Sequence, residues 1–124
     1  MTQTSIAFCV APRPITLKLL VPETSREQER GLQDFKINDW EGMIFLSDRW
    51  PEEQTISMWQ ASVPYPLAML WVGPDNRIGA LELVSPGDSQ TYSHRGVAVI
   101  EINAHLVDRY DLDVGTVVVD GGVT

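Results

Sequence analysis

Leu67-Ala68-Met69-Leu70-Trp71-Val72 runs without a polar side chain into Gly73-Pro74-Asp75-Asn76, and Arg77 to Val84 follows as a second largely apolar stretch. A strand keeps an unbroken apolar run only when both of its faces are covered, so Leu67–Val72 reads as a central strand. Core must lie on one side of it, and core, helix or a partner on the other. The proline and short polar side chains of 73–76 suit a tight turn, which makes Arg77–Val84 the antiparallel mate.

Working outward, Ile15, Leu17, Leu19 and Val21 alternate with Thr16 and Lys18 in the period of a half-buried strand. Gly42–Leu46 is a second apolar segment, and Thr55–Gln60 is β-leaning around Ile56 and Trp59. Pro64 and Pro66 forbid regular pairing just after it, so an extended loop is expected there. Val97–Ile102 is predicted to place Ala98, Ile100 and Ile102 on one face and Val97, Val99 and Glu101 on the other. Gly115 precedes a last strand, Thr116–Val119. Thr24 and Glu27 match a capping box opening a brief, solvated helix that stops at Gly31, and Asn103 can cap a second one over Ala104–Tyr110. The fold class expected is mainly β (α+β), a compact antiparallel β-barrel or sandwich with two short helices.

The chain has 124 residues, enough for one domain over 1–124 and too few for two. Seventeen acidic against nine basic side chains give a net charge of −8, which repels nucleic acid and anionic membrane surfaces. Neither is an expected partner. The one cysteine, Cys9, can close no internal disulfide and is expected as a small hydrophobe in or near the core. Met1 to Phe8 carries no basic stretch or sustained apolar run, and nothing approaches the roughly 18 apolar residues of a membrane span. A cytoplasmic or virion location is expected.

The ordered set Arg30-Gly31-Leu32, Gly42-Met43-Ile44-Phe45, Trp59, Pro66-Leu67, Glu101-Ile102 with Ala104, and Gly115 resembles the bacterial and archaeal family called domain of unknown function 192, over Ile15 to Val119. The resemblance implies a compact, mainly β fold with small helices, often exported behind a signal or lipoprotein anchor, and no settled activity. In that family the tryptophan tends to be followed by methionine, lysine, asparagine and threonine, and the proline-leucine pair by aspartate. Here Gln60, Ala61, Ser62 and Val63 follow Trp59, Ala68 follows Pro66-Leu67, and His105 stands where a glycine is expected. Scaffold positions persist while the polar groups of the relatives are lost.

Arg30 and Glu101 are charged residues at family-like positions among hydrophobic strands, where a carboxylate needs a partner to offset its desolvation. An ion pair or backbone tether is expected, with Glu101 meeting Arg30, the Trp59 indole or loop amides. His94 and His105, with Asp108 or Asp111, offer too few ligands at workable spacing for a transition metal, so surface roles are expected. Ser93 and His94 should point to opposite faces of a strand and cannot serve each other. Glu52 and Glu53 read as a solvated turn. No catalytic residue, metal or cofactor is expected.

Four tryptophans remain. Core packing accounts for Trp59 and Trp71, whereas Trp40 and Trp50, set among Asp39, Glu41, Asp48 and Arg49, read as a contact surface. These residues point to a non-enzymatic structural or protein-interaction module, a phage or virion accessory being one form of it, that binds another protein or assembles with itself. The alternative is a small-molecule-binding domain with an apolar pocket lined by Phe45, Trp59, Met69 and Trp71, where Arg30 or Arg95 meets an anionic group.

Overall fold

The computed structural model describes residues 2–22, 42–46, 52–59 and 63–120. They form strands β1 (Thr2–Cys9), β2 (Ile15–Val21), β3 (Gly42–Leu46), β4 (Gln54–Met58), β5 (Leu67–Val72), β6 (Ile78–Val84), β7 (Tyr92–Gly96), β8 (Ala98–Asn103) and β9 (Val117–Asp120), with one short helix, α1 (His105–Tyr110). Seven strands make a sheet in the order β6-β5-β8-β3-β2-β1-β9, and β4 with β7 makes a separate two-stranded ribbon. The fold is thus mainly β and barrel-like, as expected. The helix expected from Thr24 lies outside the described residues.

The sheet curls until its two edge strands meet at one end. Val118 donates its backbone N–H to the Asn76 carbonyl at 2.7 Å, Ile78 donates to Thr116 at 2.9 Å, and Gly115 donates to Ile78 at 2.8 Å. The concave side is filled in part from α1, whose Leu106 and Val107 are buried together with Leu112. One strand pair, β2–β3, is parallel and short, matching only Leu19 with Gly42 and Leu20 with Met43.

The unbroken apolar run at 67–72 has the physical cause expected of it. Ala68, Leu70 and Val72 of β5 enter the barrel interior, while Leu67, Met69 and Trp71 enter a second apolar layer under the ribbon. The two covers bury all six residues. Position in the sheet is a correction, since β5 lies second in the strand order, beside the edge strand β6, and is doubly covered only because the ribbon lies over it. In β8 the expected faces hold: Ala98, Ile100 and Ile102 go inward and Val99 faces the ribbon layer.

Two strands have no counterpart in the sequence reading. Strand β1 sits between β2 and β9, pairing antiparallel with both. Its Phe8 is fully buried but Cys9 is exposed, which corrects the expected core placement of the cysteine: in a strand, adjacent side chains take opposite faces. Strand β7 lies in the polar stretch Tyr92–Gly96 and pairs with β4 from Gln54↔Gly96 to Met58↔Tyr92.

At the α1 start, Asn103 acts as expected in kind but one place early. Its Oδ1 accepts the His105 backbone N–H at 3.0 Å, while Ala104 occupies the cap position with no side-chain bond. Asp111 ends the helix in the left-handed region, at φ 58°.

Candidate functional site

Two places concentrate features beyond ordinary packing, the layer beneath the ribbon and the open end of the barrel. Under the ribbon, cross-strand register puts Glu82, Met69, Glu101 and Met43 in one row over β6, β5, β8 and β3. Glu101 sits between Met69 and Met43 in this row and is only 3% exposed. Burial pushes its carboxyl up to about 8, because an ionised carboxylate in this layer loses its hydration. Tyr65 is its described neighbour, and burial first, then the Glu101 charge, raise the phenol.

At the rim of the same layer His94 donates from Nε2 to Glu82 Oε2 at 2.7 Å and meets the Trp71 ring edge-on, with centroids 4.7 Å apart. The Trp71 indole in turn donates to the Ile56 carbonyl of β4 at 2.9 Å. These contacts fasten the ribbon to the sheet. His94 is part-exposed at the rim while it makes these contacts and His105 is exposed, both in keeping with the expected surface roles. Ser93 faces away from His94 and shares a 2.7 Å hydrogen bond with Ser57. Glu53 is paired: Arg95 donates to it from Nε at 2.7 Å.

The open end is different in kind. Strand polarity fixes where it lies: α1 follows the C-terminal end of β8, so Ala98 and Ile100 at the β8 start belong to the opposite end of the barrel. There a cavity of about 410 Å³ is walled by Ile6, Val21, Ile44, Val72, Ile100 and Val118. Each of these strands contributes its inward-facing, alternate residues. Leu46 and Val119, 46% and 42% exposed, also line it. Thr4 and Asn76 are its polar lining residues, and among the described residues no charged side chain borders it.

This geometry redistributes the expected site. Phe45, Met69 and Trp71 do cluster, but as a filled core under the ribbon, and the cavity opens on the other face of the same sheet. Trp59 is 49% exposed just past β4, which corrects its expected place in the core. Arg95 is held by Glu53 on the ribbon and does not line the cavity. Arg30, Trp40 and Trp50 lie outside the described residues. Among the described residues no three His, Cys, Asp or Glu side chains converge as metal ligands, and no helix is long and apolar enough to cross a membrane.

Reasoning from sequence missed the cavity because its wall is shared among six strands whose order no local pattern reveals. One signal was available. Thr4, Ile6 and Phe8 alternate with polar or small residues, and that period would have brought β1, and with it part of the wall, into view.

Two solved structures share the fold over nearly the whole chain. One, from Sinorhizobium meliloti 1021, carries the provisional description of a transcription regulator; it is 22% identical, with a TM-score of 0.82 over 98% of this chain and 96% of its own. The other, a protein of unknown function from Novosphingobium aromaticivorans DSM 12444, is 26% identical, with a TM-score of 0.79 over 93% of this chain and 83% of its own. No curated protein matches the sequence. The profile of the DUF192 family, described as an uncharacterized ACR, matches residues 9–119, reaching back into β1 beyond the Ile15 boundary expected from the motifs, and the chain belongs to that family.

Proposed function

We propose that the protein binds a small apolar molecule in the open end of its barrel. The observation that carries this reading is the cavity of about 410 Å³ with a mainly apolar wall. Ligand sites of roughly 300–1,000 Å³ with few polar groups are common in barrel mouths, and burying apolar ligand surface there yields roughly 25 cal/mol per Å². The reading takes up the small-molecule class that the sequence offered as the alternative to a structural or protein-interaction module, and moves it to other residues. A binding role also suits a cavity that offers Thr4 and Asn76 but no described acid, base or nucleophile pair.

Nile red, an uncharged dye that brightens in apolar surroundings, tests it. Its fluorescence is expected to rise with the wild-type protein and to stay near background with Ala98→Phe or Thr4→Trp, each of which adds bulk to the lining. Equal brightening with variants that melt like the wild type contradicts the reading.

A second reading, docking to a protein partner or to another copy of the chain, is favoured by half-exposed Trp59, since buried tryptophans dominate many interfaces. Sedimentation over a hundredfold concentration range checks the self-association form. Concentration-dependent growth that Trp59→Ser abolishes supports it, and an invariant monomer excludes it.

A further inference from the structure

Resting on the binding role proposed above, we infer that the ligand class is uncharged: a neutral molecule with an apolar body and at most one hydrogen-bonding group, rather than a carboxylate, phosphate or amine. Each of the five cationic side chains among the described residues is directed elsewhere. Arg13 lies in the β1–β2 connection, at the end of those strands away from Thr4 and Val21. Lys18 is exposed between inward-facing Leu17 and Leu19. Arg77 adjoins Asn76 in sequence, yet its inward neighbour is Ile78, and its own guanidinium donates to the Gly115 carbonyl at 3.0 Å on the outside. Arg95 is held by Glu53 on the ribbon, and Arg109 lies over the Tyr110 ring of α1.

An anion entering the cavity would therefore lose its hydration without meeting a counter-charge among the described residues, and a cation would fare no better, since no described acid borders the wall. Burying an unpaired ion is strongly unfavourable, whereas a hydroxyl needs only one partner, which Thr4 or Asn76 can supply. The overall charge of −8 adds a long-range bias against anions.

Three probes of one chain length separate the possibilities: 1-octanol, octanoate and octylammonium, each displacing Nile red from the full chain at pH 8. Octanol is expected to displace the dye at concentrations at least tenfold lower than either ion. Octanoate or octylammonium acting within threefold of octanol overturns the inference while leaving the binding role intact. Failure of all three probes, with no dye bound at the start, overturns the binding role itself.

Discussion

Glu101 is an ionisable residue that the fold buries. Its carboxyl lies in an apolar layer between Met43 and Met69, with a pKa near 8 against 4.5 for the exposed group. The folded state therefore holds its proton more tightly than the unfolded chain. Below pH 4.5 both states are protonated and no penalty applies; as pH rises from 4.5 through about 8, stability is progressively lost. The full loss is up to about 4 to 5 kcal/mol from the shift alone. Urea unfolding at pH 5 and pH 9 should show this decline, and Glu101→Gln should flatten it and make the protein more stable at pH 9. An equally steep decline in that variant would remove Glu101 as its cause. Gly42, on the neighbouring strand, is constrained by space: an added Cβ would overlap the Glu101 carbonyl oxygen and the Ile102 side chain. Gly42→Ala is expected to cost about 1–3 kcal/mol by overpacking, read from the urea midpoint. Cys9, exposed next to buried Phe8, should be alkylated by iodoacetamide in the folded protein, giving one adduct by intact mass; a resistant thiol would contradict its placement.

At the level of elements, the ribbon is fastened over its apolar layer by His94 with Glu82, the His94 ring edge on Trp71, and the Trp71 indole on the Ile56 carbonyl. Removing the first two by His94→Ala should cost about 1–2 kcal/mol. Hydrogen exchange should quicken in Gln54–Met58 and Tyr92–Gly96 while β8, paired on both sides in the sheet, stays protected. Uniform quickening across both would mean that the ribbon is not a separate unit. Much of this level was legible in the sequence. Strands β2, β3, β5, β6, β8 and β9 follow from alternation or unbroken apolar runs, because burial on one or both faces imposes those patterns. The ribbon was harder to read: β7 presents Ser93 and Arg95 outward and Tyr92 and His94 inward, and its inward pair is polar enough to hide the period. Trp59 shows the converse error. Its size suggested core, but Ile56 and Met58 pack under the ribbon, and continuing the β4 period puts Trp59 on the outer side.

For the molecule as a whole, the sheet has two faces with different fates. The ribbon covers one and fills it with Phe45, Met69 and Trp71; α1 fills one end of the other and leaves the opposite end hollow. The sequence revealed the apolar residues but could not say which face closes, because that depends on the order β6-β5-β8-β3-β2-β1-β9 and on the parallel step between β2 and β3. Phe45 and Ile44 are neighbours in the chain, and only the first joins the filled layer while the second lines the cavity. The direct test is to label the isoleucine δ1 and methionine ε methyl groups and titrate with 1-octanol by NMR. Ile6, Ile44 and Ile100 should shift in a saturable way while Met43 and Met69 hold still. Shifts confined to the methionines, or none at any of these methyls, would contradict a ligand site in the open end of the barrel.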